Sequence, residues 1–298
     1  MKNTIEAGVC AICGAKKWHV AYEGPIRHGT FGNFVEATVF RCDVCEVQFL
    51  PSSVGLIPNY YSGPEYRETV GEGSDAESFF KLHDVEQLDR YPLMNGVTLR
   101  NSVVAEIGAA AGSFLDGVRG LAAATVAVEP AVAYHESLRR RGHVTFSDAS
   151  DASEWNGKVD VAVCFSVIEH VSDPVAFLRQ IKNLLAPGGK LLLSTPNARD
   201  ILLDVGCEAY RRFFYRSVHA YYFDAVSLRR AAAEAGFQQF EPRHIHRFNF
   251  GNFTGWLGEH KPAGNAHATT LGARFDRIWK AELEESGHAD YLYAWLAT

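Results

Sequence analysis

Four cysteines fall as two pairs, Cys10-x-x-Cys13 and Cys42-x-x-Cys45, with 28 residues between them. Each CxxC turn brings two thiolates onto one ion, and two such turns complete a tetrahedral four-sulfur Zn²⁺ site. A disulfide framework does not suit a cytosolic chain, which is the expectation here, and a redox CxxC needs no second copy. Four protein ligands close the coordination shell, so the expected zinc is structural. Cys164 and Cys207 stand alone, and Cys164 lies in an apolar run that suits a buried, inert thiol.

A second constellation is acidic. In VVAEIGAAAGSFL, Val103 to Leu115, an apolar run ends in Glu106, followed by Gly108, three alanines and Gly112. A glycine-bearing strand-to-helix turn is a place for a ligand phosphate. The dinucleotide fingerprint G-x-G-x-x-G fails here, because the six residues from Gly108 meet only one of its three glycine positions. No Gly-Lys-Ser/Thr follows either. Glu129 ends the next apolar run, ATVAVEP, where an acid suits two ribose hydroxyls. Asp148 follows in TFSDAS, where it can meet an adenine amino group. Together these describe a nucleoside site with no demand for pyrophosphate.

The elements that must position these groups divide the chain into residues 1–50, a zinc-binding module; 51–100, an irregular connector with an amphipathic helical stretch, ESFFKLHDVEQLDRY; and 101–298, an α/β domain. SVVAEIG, ATVAVEP, HVTFSD, VDVAVCFS and GKLLLSTPN read as buried parallel strands. SFLDGVRGLA, YHESLRRRG, DPVAFLRQIKNLLAPGG and FDAVSLRRAAAEAGF read as helices, the third stopping at its Pro and Gly. QQFEPRHIHRF and DYLYAWLA are the last two strands, with an insertion at about 251–287 between them. Ligands belong at the carboxyl ends of such strands.

In order and spacing, VVAEIGAAAGSFL, VAVEP, FSDAS, DVAVCFSVIEHVSDP and LLAPGGKLLLSTPN resemble the motif set of class I S-adenosylmethionine-dependent methyltransferases. The resemblance implies a Rossmann-like seven-stranded sheet with an antiparallel last strand, preceded here by a small zinc-ribbon-like module. It also implies S-adenosyl-L-methionine as cofactor: Glu106 and the Gly108 backbone on the methionine part with Ala110 and Gly112 in the same loop, Glu129 and Pro130 at the ribose, Asp148 at the adenine, and Phe165 and Ser166 alongside. The common loop has glycine where this chain has Ala110, and an alanine is tolerated there if φ stays negative.

Methyl transfer is an in-line displacement, and a hydroxyl or carbon nucleophile needs a base as well. His170 is one candidate, with Glu169 orienting it; alternatively the pair closes the cofactor pocket or caps the next helix. His219, in SVHAYYFDAVSL, is a second candidate, or else anchors its loop. Tyr60 and Tyr61 reach the cleft or pack beside it. By resemblance, the segment opening at Asn197 carries acceptor contacts. His244 and His246 alternate on a strand with no acidic partner nearby, and Arg139 to Arg141 end a helix, where cations suit the macrodipole.

A chain of 298 residues, 47% hydrophobic, can bury one large core with a small satellite. The net charge of -6 and the five basic against five acidic residues of the first 50 argue against nucleic acid as a partner. The start MKNTIEAGVC lacks the pattern of a secretory signal, and no run nears the roughly 18 apolar residues of a membrane span. The expectation is a cytoplasmic enzyme without a membrane partner. A zinc module, a YY linker and this domain together look like sugar and natural-product methyltransferases. The chain lacks the extra C-terminal domain of the C-methylating kind, which favours a hydroxyl of a sugar or nucleotide-linked sugar as the small-molecule acceptor. C- or N-methylation of a deoxysugar or another natural product, and a zinc-module RNA methyltransferase, are the alternatives.

Overall fold

The computed structural model describes residues 8–63, 65–70, 75–262, 264–265 and 271–298. MKNTIEA of the N-terminus, GEGS of the connector and residues 266–270 of the insertion lie outside them. A hairpin of β1 (Trp18–Arg27) and β2 (Phe34–Cys42) is extended by β3 (Gln48–Phe49). The connector carries α1 (Glu65–Val70), α2 (Ala76–His83) and α3 (Gln87–Arg90). Then follow β4 (Val103–Ile107), α4 (Ser113–Val118), β5 (Ala124–Val128), α5 (His135–Arg140), β6 (Val144–Phe146), β7 (Val159–Phe165), α6 (Pro174–Leu184) and β8 (Leu185–Pro196). The remainder is α7 (Ile201–Asp204), α8 (Glu208–Phe214), β9 (Tyr221–Tyr222), α9 (Ala225–Glu234), β10 (Gln239–Ile245), α10 (Phe250–Glu259), α11 (Gly272–Ser286) and β11 (Tyr291–Ala297).

Seven strands form one sheet in the order β10-β11-β8-β7-β4-β5-β6. Strands β4 to β8 pair in parallel, while β11 runs antiparallel to both β8 and β10. The antiparallel last strand expected from the sequence is therefore present. β4, β5 and β7 are buried along most of their length because helices cover both faces. The strand order reverses at β4, and its carboxyl end opens between those of β5 and β7, the place where open α/β sheets bind ligands.

Two boundaries differ from the sequence reading. Helix α6 is started by Asp173, whose carboxylate accepts from the amides of Val175 and Ala176, but it stops at Leu184 instead of running into LAPGG. A residue before proline disfavours helical backbone, so Ala186 cannot continue the helix, and Leu185 already pairs with Val159 of β7. The second difference concerns the N-terminal sheet, whose order is β1-β2-β3-β9. Its last strand, Tyr221–Tyr222, comes from the α/β domain and pairs with Phe49 and Gln48. The insertion folds as α10 and α11, held by Trp279 against Phe250 and Phe253. Among the described residues, no helix is long and apolar enough to cross a membrane.

Candidate active site

A cleft of about 990 Å³ opens at the carboxyl ends of β4, β5, β7 and β8. Glu106, Gly108, Ala110, Glu129, Pro130, Asp148, Phe165 and Ser166 all line it. Glu106 is buried, and its Oε2 has no hydrogen-bond partner. Burial pushes its carboxyl up to about 8, against the charge of Arg90. Gly108 has φ +79°, and a Cβ there would stand 2.3 Å from Val167 Cγ2. Its amide donates to Val128 O, so it offers a ligand close backbone approach instead of a free N–H. Gly112 also needs its glycine, φ +92° with a Cβ 2.6 Å from Leu138 Cδ2, but it packs behind the loop and not on the cleft.

Glu129 does something the sequence did not disclose. Its Oε2 accepts from the Ala110 amide at 2.7 Å and its Oε1 from the Ala131 amide at 2.9 Å. The acid expected at the ribose thus also shapes the glycine loop, with lone pairs left over for hydroxyl donors. Burial raises its pKa, and these two bonds oppose the rise. The bond to Ala110 goes with a correction: Ala110 has φ +45°, not the negative φ expected for a tolerated alanine. An L-residue there is strained, and Ala110→Gly is expected to stabilise the fold by about 0.5–1 kcal/mol, checked by denaturant unfolding. Arg141, read above only as a helix-end cation, braces the same loop by donating to Ala111 O and pairing with Asp116.

At the other end of the cleft Glu169, His170 and His219 present ligand atoms within 4.8 Å of one another, all buried. His170 Nδ1 lies 3.1 Å from Val218 O and 2.8 Å from Tyr61 Oη, while Tyr61 itself donates to Val218 O at 2.8 Å. A carbonyl only accepts, so Nδ1 carries the proton and Nε2 keeps a free lone pair. Burial, then the charge of Arg216, pulls His170 down to about 3, leaving a neutral imidazole at neutral pH. Both carboxylate oxygens of Glu169 and Nδ1 of His219 are buried without partners. Burial lifts Glu169 to about 7. Tyr60 and Tyr61 line the cleft. Ser166, at φ +56° with its hydroxyl on Tyr291 Oη, is a second strained residue in the wall.

Asn197 must be withdrawn from the acceptor contacts. It is fully buried, off the cleft lining, and its amide is spent on Gly287 O, Ala289 O and the Arg199 amide. His246 does have an acidic neighbour, Asp290 at 3.4 Å, brought close by the β10–β11 pairing. Cys10, Cys13, Cys42 and Cys45 gather with their sulfurs within 4.8 Å of one another. The Cys10–Cys45 and Cys13–Cys42 separations are both 3.6 Å, near the ~3.8 Å edge of a tetrahedron with 2.3 Å zinc–sulfur bonds. The sequence reading missed Arg90, Arg216, Arg247 and Tyr291, all of which line the cleft.

Residues 86–241, just over half of the chain, match a family described as methyltransferase domain. The chain belongs to this methyltransferase family. Among relatives of the methyltransferase, a ubiquinone biosynthesis O-methyltransferase of Xanthomonas oryzae pv. oryzae is 44% identical over 73 residues, covering 24% of this chain and 30% of the relative. Its namesake in Xanthomonas euvesicatoria pv. vesicatoria is 34% identical over 151 residues, covering 47% and 63%. The chain thus spans less than two thirds of the curated relatives it matches. In fold, the methyltransferase is similar to a SAM-dependent methyltransferase of Thermotoga maritima, 17% identical over 74% of this chain and 93% of that one, with a TM-score of 0.50. A chain of the Haloferax volcanii complex between the Trm112 methyltransferase activator and a methyltransferase is 15% identical over 74% and 92%, with a TM-score of 0.51. S-adenosylmethionine fits the residues of this cleft: the orphaned Glu106 oxygen needs a cation such as its ammonium, and the loop at Gly108 admits close backbone approach.

Proposed function

We propose that this methyltransferase moves a methyl group from S-adenosylmethionine to a hydroxyl oxygen of a small polar acceptor. The observation that carries the reading is the fixed tautomer of His170, whose free Nε2 belongs to a ring lining the same cleft as Glu106 and Gly108. When bound, the cofactor supplies an electrophilic methyl carbon on a sulfonium. Glu106 would hold its ammonium, Glu129 would accept from the ribose hydroxyls and Asp148 from the adenine amino group. His170 takes the hydroxyl proton on Nε2 as the oxygen attacks. Ionised Glu169 then stabilises the imidazolium, and Tyr61 keeps the ring oriented. His219 is placed to contact the acceptor, with the neighbouring tyrosines closing the wall. A structural zinc at Cys10, Cys13, Cys42 and Cys45 completes the proposal, and the site of action is the cytoplasm.

The names of the curated relatives favour oxygen over carbon or nitrogen as the target. The acidic net charge disfavours an RNA substrate. Two acceptor classes follow: hydroxyls of sugars or nucleotide-linked sugars, from the motif set, and hydroxyls of intermediates of the relatives' pathway, from their names. Screening both with cofactor by mass spectrometry, for a product heavier by one CH₂, is the deciding experiment; a chain that binds cofactor yet methylates neither class overturns the assignment.

Two kinetic results follow from the site. His170→Gln is expected to lower kcat by about 10²-fold, the usual contribution of a general base, with cofactor affinity kept. At saturating cofactor, kcat/KM for the acceptor is expected to fall as pH drops through about 7, where Glu169 takes up its proton. His170 adds no limb between pH 5 and 9, because its pKa lies near 3. Glu169→Gln should abolish that limb; a limb surviving the substitution removes Glu169 from the mechanism.

A further inference from the structure

Four arginines line the cleft, and they are not alike. Arg90 pairs with Glu86 at 2.9 Å, and Arg247 with Asp290 at 2.7 Å while lying over the Tyr291 ring. Arg67 rests over Tyr66. Arg216 differs: among the described residues no carboxylate comes within 4.0 Å of it, and its Nε is buried without a partner. Its position is fixed, since its amide donates to Tyr222 Oη and its carbonyl accepts from the same hydroxyl, each at 2.9 Å. Behind it, Arg27 bridges to Arg216 through the backbone and also has a buried Nε without a partner. Both side chains are half-buried, and neither has a carboxylate at ion-pair distance among the described residues. Glu169 lies in the field of Arg216, whose charge opposes the rise that burial gives its carboxyl.

A buried Nε–H left without a partner is costly, and a planar guanidinium facing a cleft is matched by the two oxygens of a carboxylate or phosphate. We infer that Arg216 holds an anionic group of the acceptor, a carboxylate or a phosphate, and so places the neighbouring hydroxyl at His170. The inference rests on the methyl-transfer reading and narrows its acceptor to acid-bearing molecules. It also gives the acceptor a second task. The charge of Arg216 is one of the forces holding His170 and His219 unprotonated. An anion bound to Arg216 offsets that charge, so an acidic acceptor strengthens the base that will take its proton.

The test uses the full chain and matched pairs of acceptors, 3,4-dihydroxybenzoate against catechol and glucose 1-phosphate against glucose, together with calorimetry of inorganic phosphate and benzoate on the protein loaded with S-adenosylhomocysteine. The acid-bearing member of at least one pair is expected to have kcat/KM about 10–100-fold above its neutral partner, the factor a charge-assisted hydrogen bond supplies. The pair that responds tells carboxylate from phosphate. Arg216→Gln should bring that ratio to about one and abolish anion binding, and Arg216→Lys should retain part of both. Unchanged S-adenosylhomocysteine affinity shows that the variants are folded. Equal use of neutral and acidic members, or a ratio that survives Arg216→Gln, overturns the inference. If no acceptor in the panel is methylated, calorimetry decides alone: anion binding lost with Arg216 keeps the anion site while the methyl-transfer reading falls, and no anion binding to the wild-type chain removes the site.

Discussion

Glu106→Gln is expected to make the cofactor-free methyltransferase more stable and a poorer binder at once. The carboxyl is fully buried with an orphaned oxygen, and burial lifts its pKa from 4.5 to about 8. Between those two values the unfolded chain has lost the proton and the folded chain still holds it. Stability therefore falls as pH rises through this window, by about 1.4 kcal/mol per unit. At pH 7 the cost is on the order of 3 kcal/mol, and a neutral glutamine avoids it. The gain should vanish near pH 4, where both forms of the wild-type chain are protonated. Cofactor affinity moves the other way: the bond between a carboxylate and an ammonium is lost, about 10–100-fold in Kd. In the wild-type chain Glu106 must ionise on binding, so at pH 7 complex formation releases close to one proton. Affinity should rise about tenfold per pH unit until the ligand's own α-amino group titrates at about 7.7–8.0. Calorimetry in two buffers of different ionisation enthalpy reads the proton, and urea melts at pH 4 and 7 read the stability. A variant that loses stability at pH 7 would make Glu106 a structural acid.

What was legible in the sequence is what local spacing encodes. Glu106, Glu129 and Asp148 each sit at or just beyond the end of a short apolar run, and parallel strands bring such ends together along one edge of the sheet. The Glu169-His170 pair was legible for the same reason, as it lies in the turn that leaves β7. Contacts between distant segments were not legible. The positive φ of Ala110 goes with a hydrogen bond to Glu129, 19 residues away. Asn197 is consumed by carbonyls about 90 residues downstream, which no motif announces. Arg216 matters because of what does not stand beside it, and a missing counter-ion exists only in three dimensions. Its one sequence signal was proximity to His219.

Removing the metal proposed at the four cysteines is expected to cost this chain more than any substitution above, and to cost acceptor chemistry before cofactor binding. Cys10, Cys42 and Cys45 are buried in one cluster with Ile168, Tyr221 and Phe223 of the α/β domain. The residues just after the second knuckle hold the strap that carries Arg216 and His219: Leu50 donates to Ala220 O, Val54 to Ser217 O, and Gln48–Phe49 pair with Tyr221–Tyr222. From its other side the strap is tied to the proposed catalytic pair, the Ala220 amide donating to Glu169 O at 2.8 Å. Glu106 and Glu129 hang instead from β4 and β5, whose strand partners all lie within the large sheet. Structural zinc is worth ~10 kcal/mol or more in small modules. If even half of that is felt here, Tm should fall by on the order of 10 °C in a chain of this size. Chelation, or Cys42→Ser, should release one zinc per chain and lower kcat/KM for the acceptor about 100-fold or more, the loss expected of a displaced base. Cofactor Kd should change by a smaller factor than turnover, because Glu106 and Glu129 are fixed by strand pairing within the large sheet and touch the cysteine cluster only through the shared apolar core of Ile107 and Val128. A metal-free chain with full turnover would sever the cysteine cluster from the strap, and parallel loss of cofactor binding would show that the module supports the whole sheet.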